Sequence, residues 1–303
     1  MKKYDYILID TMMICYRSWF SLSTLNIKMD GETHGVAIPV GLVKTIMHLA
    51  EMFAHEETKI VMCLDSKTKD LHRKRIFPAY KEKRKDQYTK EQMEDLFSQV
   101  KMAMKIVSIL PVHQCGRFGY ESDDVMFTLA KRYGENGKVL IVSSDKDMYQ
   151  CLNRNVRMLV NRETTVMTRK RLQEEKGFTP KQFLAMQCLM GDPADCIPGI
   201  KGIGLAKALD TVKAYPDIVK DVKLNRVIME KVPTSARNKF RKDHSKTVQL
   251  TEKLVKLCFI PGLGLKKGSG DKEGVMELLT QISAHTLSME VEKSKWLQAK
   301  WTS

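Results

Sequence analysis

Short apolar runs that stop abruptly at polar residues alternate with stretches of helical periodicity over the first half of the chain. Tyr6-Ile7-Leu8-Ile9 runs into Asp10, Ile60-Val61-Met62-Cys63-Leu64 into Asp65, and Val139-Leu140-Ile141-Val142 through two serines into Asp145. Such runs, rich in Ile and Val, predict strands buried on both faces of a parallel sheet. Between them Thr11 to Phe20 reads as helix, and Gly41 to His55 carries Leu42, Ile46, Leu49, Ala50 and Phe53 at helical spacing. Gln92 to Leu110 repeats that spacing through Met93, Leu96, Val100, Ala103 and Val107. A strand, a helix capped by Ser122 or Asp123, and a strand are predicted across Val112 to Val142, with Val156 to Val160 as the last strand. From Thr179 the periodicity is helical. The pattern therefore predicts an α/β domain over residues 1–178 and a helical domain over residues 179–303, with glycine-rich Gly262 to Gly274 as a loop or mobile segment.

The strand ends carry acids, and the acids change the picture. Asp10, Asp65 and Asp145 follow apolar runs, and Glu121, Asp123, Asp124, Asp147, Asp192 and Asp195 lie at further element boundaries. In an open α/β sheet ligands bind at the carboxyl ends of the strands, so these acids are expected to converge. Close carboxylates repel by roughly 4 kcal/mol per pair at an effective dielectric near 20, so they take up protons or need cations. Oxygen ligands without a matching His or Cys set point to a hard cation, Mg²⁺ or Mn²⁺.

Charge supplies the substrate class. The 303-residue chain has a formal net charge of +15 around this acidic set, a combination suited to a polyanion, nucleic acid above all. From Lys67 to Lys90 basic residues crowd together, Arg73, Lys81 and Arg84 among them, interleaved with Phe77, Pro78 and Tyr80. No apolar stretch approaches the length of a membrane span, and Met1-Lys2-Lys3 leads straight into the first strand, so a soluble chain without a signal peptide is expected. The 7 cysteines show no zinc or CxxC spacing, which fits a reducing compartment.

Pro198-Gly199-Ile200-Lys201-Gly202-Ile203-Gly204-Leu205-Ala206-Lys207-Ala208 is the most specific local pattern. Its glycines allow tight turns, and the helix that follows begins with free N–H groups able to hold a phosphate. Ile200, Ile203, Leu205 and Ala208 are expected to pack a helix-hairpin-helix at about residues 185–212, with Lys201 and Lys207 facing a nucleic-acid backbone.

Taken together the blocks resemble the 5′-nuclease family of flap endonucleases, phage 5′-exonucleases and the 5′-nuclease domain of bacterial DNA polymerase I. The resemblance rests on Leu8-Ile9-Asp10 with Tyr16-Arg17, Leu64-Asp65, Arg73 with Pro78-Ala79-Tyr80-Lys81-Glu82-Lys83-Arg84, and Gly119-Tyr120-Glu121-Ser122-Asp123-Asp124. It continues through Ser144-Asp145-Lys146-Asp147 and Met190-Gly191-Asp192-Pro193-Ala194-Asp195-Cys196-Ile197-Pro198-Gly199-Ile200. Thr11 stands where many members have Gly, and Ser122 where Ala is usual.

The resemblance implies a mainly parallel sheet flanked by helices, a PIN-like core, with a basic helical arch at about residues 66–95 and a C-terminal helical domain holding the hairpin. Asp10, Asp65, Glu121, Asp123 and Asp124 would hold one metal region, and Asp145, Asp147, Asp192 and Asp195 a second. Two or more Mg²⁺ ions are implied, Mn²⁺ substituting, with K⁺ at carbonyls of the hairpin. Lys81 and Arg84 would contact the scissile phosphate and Tyr80 would stack on a base or anchor the arch. Arg73 would support a phosphate or pair with an acid, and Gly199, Lys201, Gly202, Gly204 and Lys207 would grip the duplex. The implied activity is two-metal 5′-3′ exonuclease and flap endonuclease hydrolysis leaving 5′-phosphate and 3′-hydroxyl, with RNase H-like primer removal. Its substrates would be DNA with 5′ flaps, nicks or free 5′ ends and RNA–DNA hybrids, cut by a monomer beside replication proteins in the cytoplasm of a bacterial or phage-infected cell. Two other readings stay open: an inactive flap- or junction-binding protein of the same fold, and a PIN-type ribonuclease.

Overall fold

The computed structural model describes residues 3–29, 31–84, 88–160, 165–240 and 244–302. The chain opens with β1 (Tyr4–Asp10), α1 (Thr11–Ser21), a small hairpin of β2 (Asn26–Met29) and β3 (Glu32–Gly35), α2 (Ala37–Phe53) and β4 (Ala54–Leu64). The basic segment follows, with the short helix α3 (His72–Ile76) and a 3-10 turn at Glu82–Arg84. Then come α4 (Lys90–Ile109), β5 (His113–Gly116), α5 (Ser122–Tyr133), β6 (Val139–Val142), a 3-10 turn at Lys146–Cys151, β7 (Val156–Leu159) and β8 (Val166–Met167). The rest is mostly helical: α6 (Arg169–Lys176), α7 (Pro180–Met190), α8 (Leu205–Ala214), α9 (Ile218–Lys223), α10 (Thr234–Arg237) and α11 (His244–Val255). After strand β9 (Lys266–Lys267) come α12 (Lys272–Gln281), α13 (His285–Lys293) and α14 (Lys295–Thr302). Among the described residues no helix is long and apolar enough to cross a membrane.

The main sheet has the order β8-β7-β6-β1-β4-β5-β9, parallel from β7 to β5 with antiparallel strands at both edges. The chain builds outward from β1 through β4 to β5, then crosses to β6 on the other side. The order therefore reverses between β1 and β6, where a crevice opens at the strands' carboxyl ends. Strand periodicity divides the core between two faces. Leu8, Val61, Val139 and Ile141 pack towards α5, α7 and the hairpin, while Ile7, Ile9, Ile60, Met62 and Leu140 pack towards α1, α2 and α4.

The end of the chain departs from the expected two-part division. Lys266 and Lys267 pair with Gln114 and His113, and the N–H groups of Gly268, Ser269 and Asp271 donate to Val112, Ser108 and Ile109. Leu279, Leu287, Trp296 and Leu297 then join the same apolar cluster as α2 and α4. The glycine-rich stretch expected to be a loop is thus tied to the edge of the sheet. Residues from 266 onward cover the first domain because α2 and α4 leave apolar side chains that need burial.

The hairpin forms between α7 and α8. Thr179 caps α7 in a reciprocal capping box with Gln182 and Pro180 starts the helix, so the sequence specifies this beginning fully. Gly191 and Gly202 have φ of +66° and +85°, the left-handed region that glycine tolerates. Gly199 is required by proximity instead, since an added Cβ would lie 2.1 Å from the Met190 carbonyl oxygen. Gly199→Ala is expected to cost about 1–3 kcal/mol in urea unfolding, through backbone overlap that no rotamer relieves. Ile200, Ile203 and Ala208 are buried as expected, but Leu205, the first residue of α8, is 59% exposed.

Candidate active site

The carboxylates meet at the β1/β6 crevice because the parallel register brings three strand ends level. Asp10 ends β1 and caps α1, its Oδ1 accepting from the Met13 N–H at 3.1 Å and its Oδ2 from the Ser143 hydroxyl at 3.1 Å. Asp65 stands one residue past β4 and accepts the Ser122 N–H at 2.9 Å. Asp145 follows β6 through Ser143 and Ser144, and its Oδ1 accepts the Asp147 N–H at 2.8 Å. Asp123 lies in the first turn of α5. Asp147 is reached from the helical half, the Gln187 amide of α7 donating to it at 2.5 Å. Asp192 accepts the Ala194 N–H at 2.9 Å within a tight turn closed by the Asp192–Ile197 bridge.

Electrostatics shows which of these acids face each other. Burial pushes the Asp10 carboxyl up to about 6, and the charges of Asp65 and Asp145 add to the rise. Burial also pushes Asp147 up to about 7, with Asp145, Asp192 and Asp195 acting in the same direction. Asp123 is raised well above the carboxylate range, by burial first and then by Asp145 and Asp10. Two overlapping groups emerge, with Asp145 common to both: Asp10, Asp65 and Asp123 on one side, Asp147, Asp192 and Asp195 on the other.

Lys81 closes the edge of this centre. Its ammonium lies 2.5 Å from Glu121 Oε1 and 3.7 Å from Asp195 Oδ2, and its N–H donates to the Asp195 carbonyl at 3.0 Å. Burial pushes the Glu121 carboxyl up, but Lys81 and Arg73 more than reverse this and hold it ionised. The backbone at Lys81 takes a φ of +54°, unusual for a residue with a side chain, so the turn carries strain at the point where it touches the centre.

One expected role changes and two are narrowed to one of their alternatives. Asp124 does not join the carboxylate centre. Adjacent residues on a helix point about 100° apart, so Asp124 turns away from Asp123 and is fully buried, held by Arg73 at 2.6 and 2.8 Å and by the Cys258 N–H at 2.8 Å. Arg73 in turn is 4% exposed and also donates to Glu121 and to the Leu254 carbonyl, so it braces α5 and α11 and presents no face to a duplex. Tyr80 is buried, its hydroxyl donating to Glu121 at 2.9 Å, which places it as the anchor of the basic segment and leaves no ring face for a base.

The other expected contacts are arranged along the surface. Arg84 ends the 3-10 turn at Glu82–Arg84, and its side chain lies outside the described residues. Lys201 and Gly202 are exposed at the hairpin tip, and Lys207 donates to the Gly202 carbonyl at 3.3 Å. Gly204 caps α8 with no side-chain acceptor, leaving the first N–H groups of that helix open to an anion. Sequence reasoning overlooked Ser143 and Gln187. The two serines between β6 and Asp145 pointed to the first, but nothing local marks a glutamine in the middle of α7.

The donor set fits hard divalent cations: oxygen only, desolvated and mutually repelling, with Lys81 already serving as a counter-charge at one edge. Among the described residues no three His, Cys, Asp or Glu side chains surround a common point.

Comparison with known proteins agrees with this geometry. Residues 5–177 match the family described as 5′-3′ exonuclease, N-terminal resolvase-like domain. A 5′-3′ exonuclease of Buchnera aphidicola (subspecies Schizaphis graminum) is 31% identical over 260 residues, 84% of this chain and 87% of that protein. The fold is also that of T5 5′-exonuclease with bound zinc, at a TM-score of 0.64 and 18% identity over 97% of this chain and 100% of that one. A bacteriophage T5 flap endonuclease in a pseudo-enzyme–product complex with DNA and metal ions gives a TM-score of 0.64 and 17% identity, with both chains covered at 100%. On its sequence match, its sheet order and the carboxylates gathered at its strand ends, the chain belongs to the 5′-3′ exonuclease family of 5′-nucleases.

Proposed function

We propose that the chain is a divalent-metal-dependent 5′-nuclease that hydrolyses phosphodiester bonds in DNA bearing 5′ flaps, nicks or free 5′ ends, leaving 5′-phosphate and 3′-hydroxyl. One observation carries the reading: residues 192–204 run directly from the carboxylate centre, through a turn closed by the Asp192–Ile197 bridge, into the hairpin that precedes α8. A duplex held by Lys201, Lys207 and the start of α8 would thereby lie beside Asp192 and Asp195.

Asp10, Asp65, Asp123, Asp145, Asp147 and Asp192 would hold the divalent ions, with Glu121 and Asp195 shared between the ions and Lys81. Two Mg²⁺ or Mn²⁺ ions held by these acids would supply a nucleophilic water and stabilise the leaving 3′-oxygen. The protein's own residues do the rest. Lys81, held at the edge by Glu121 and Asp195, is placed to meet the scissile phosphate with Arg84 and to offset the charge that grows there. Ser143 and the Met13 N–H orient Asp10, and Gln187 orients Asp147, so the acids keep their directions when substrate arrives. Carbonyls of the hairpin would take K⁺. RNA–DNA hybrids and primer removal beside replication proteins in the cytoplasm of a bacterial or infected cell belong to the same reading, with the chain acting as a monomer.

Product mapping on flap, nicked and RNA-primed duplexes tests reaction, polarity and substrate together. Mg²⁺-dependent products released from the 5′ side and arrested by EDTA are expected. Retention of flap DNA without any product would mark an inactive junction-binding protein, and cleavage of single-stranded RNA with indifference to duplex DNA would mark a PIN-type ribonuclease. Lys81→Ala is expected to lower the cleavage rate on the order of a hundredfold in single-turnover assays, with duplex affinity nearly unchanged. Equal losses in affinity and rate would make Lys81 a binding residue only.

A further inference from the structure

Helix α5 serves two neighbourhoods. Asp123 turns to the carboxylate centre, whereas Asp124, Phe127 and Lys131, spaced i, i+3 and i+7, form a separate stripe along the helix. Asp124 is covered by Arg73 and by the Cys258 N–H. Beside that brace, Phe127 and Lys131 line a groove of about 580 Å³ between α3, α5 and the end of α11. Much of its lining is apolar, from Ile76, Phe127 and Leu257, and Phe259 lines it while 47% exposed. His72 and Tyr120 line it as a stacked pair, ring centroids 5.3 Å apart.

The charge of this groove is one-sided. Lys131, Lys253 and Lys256 line it and are exposed, and among the described residues none of the three forms an ion pair with a carboxylate. Glu252 is the one acid among the described lining residues, and Lys223 already holds it at 2.6 Å. Lys131 lies 5.2 Å from the Phe259 ring centroid, an exposed cation–π contact that leaves its ammonium donors free to bond an anion. Apolar surface rimmed by uncompensated cations marks an interaction site. An acidic peptide with an apolar side chain answers both features, because carboxylates bond the lysines and the side chain fills the apolar lining. A DNA backbone answers only the first, and the stripe of α5 that lines the groove is not the one that carries Asp123 to the carboxylate centre.

We propose that this groove docks an acidic peptide segment of a partner protein, its carboxylates on Lys131, Lys253 and Lys256 and one aromatic or aliphatic side chain against Phe127 and Phe259. The groove shares no lining residue with the acids of the carboxylate centre, so docking tethers the chain to its partner and leaves that centre open. The inference stands apart from what the carboxylates cleave.

Fluorescence anisotropy on the full chain in EDTA tests this with a labelled synthetic peptide, a run of aspartates ending in leucine and phenylalanine. Its comparators are the same peptide with lysines for the aspartates, the same peptide with serines for the leucine and phenylalanine, and single-stranded oligothymidylate. The acidic peptide is expected to bind at least about tenfold more tightly than either altered peptide. Lys253→Glu with Lys256→Glu should remove that preference, and Phe259→Ser should bring the acidic peptide down to the level of its serine form, both with unfolding midpoints near that of the native chain. Lys293→Glu with Lys295→Glu, the same charge change beside the apolar cluster on the other face of the sheet, should leave peptide binding unaltered. Equal binding of the three peptides, or equal loss in the remote variant, would overturn the proposal. So would loss of oligothymidylate binding in the Lys253→Glu, Lys256→Glu variant with no change for the acidic peptide, which would make the groove a nucleic-acid track. The expected peptide preference without cleavage of any DNA would support the docking site and sink the nuclease reading alone.

Discussion

Asp10→Asn is expected to abolish divalent-cation-dependent cleavage, by on the order of a thousandfold or more, and at the same time to make the metal-free protein more stable at pH 8. Both effects have one cause. Asp10 is 8% exposed and faces Asp65 and Asp145, so its negative charge is costly to the empty fold and is the property that attracts a cation. The sign follows from the displaced pKa. Below about 4 the carboxyl is protonated in the folded and unfolded chains alike and contributes nothing to pH dependence. Between about 4 and about 6 the folded chain holds a proton that the unfolded chain has released, so rising pH progressively destabilises the fold. Above that window the cost levels off at roughly 3 kcal/mol, the product of the displacement and about 1.4 kcal/mol per unit. Asparagine keeps an acceptor for the Met13 N–H, since it caps helices as well as aspartate does, and carries no charge at any pH. Thermal unfolding in EDTA at pH 5 and pH 8 checks this. The native chain should lose stability between the two and the variant lose less, while unchanged cleavage or a variant less stable at pH 8 would sink the assignment of Asp10 to the metal centre.

Arg73→Met has the largest expected effect on stability, a loss of about 3–5 kcal/mol in urea unfolding. Burial alone would favour a neutral Arg73, but the bonds to Asp124 and the charges of Asp124 and Glu121 outweigh it and keep the guanidinium charged. Removing it leaves the fully buried Asp124 carboxylate without its cation and releases the Leu254 carbonyl, so α3, α5 and α11 lose their shared brace. Arg75→Met, two residues away, breaks the exposed pair with Asp70 and should cost less than about 1 kcal/mol. A double substitution, Arg73→Met with Asp124→Leu, should recover much of the loss because no uncompensated charge remains buried. A loss at Arg73 no greater than at Arg75 would show that the pair does not carry the junction of the two halves.

The acids, the sheet and the hairpin were legible in sequence because each has a local cause. An Ile- and Val-rich run ending in Asp predicts a buried strand with a carboxylate at its end, and β1, β4 and β6 deliver Asp10, Asp65 and Asp145 to one crevice. The pattern Gly199 to Gly204 likewise announces its turn, since close backbone approach and positive φ both select glycine. Basic and acidic residues outside these patterns were harder to place. Arg73 and Arg75 look alike in a lysine-rich segment, yet one is buried against Asp124 and the other pairs with Asp70 in solvent. Asp123 and Asp124 look alike in a family motif, but helix geometry sends them to opposite neighbourhoods.

The sequence by itself determined the strand ends, the hairpin and therefore the chemistry of the centre, because periodicity, glycine and capping act over a few residues. Only the tertiary structure decided which charges are partnered. Gln187 reaches Asp147 across 40 residues, Arg73 reaches the Leu254 carbonyl across 181, and the last helices fold back onto α2 and α4. These contacts depend on how separated segments pack, and the free energy of a charge depends on its surroundings far more than on its neighbours in the chain.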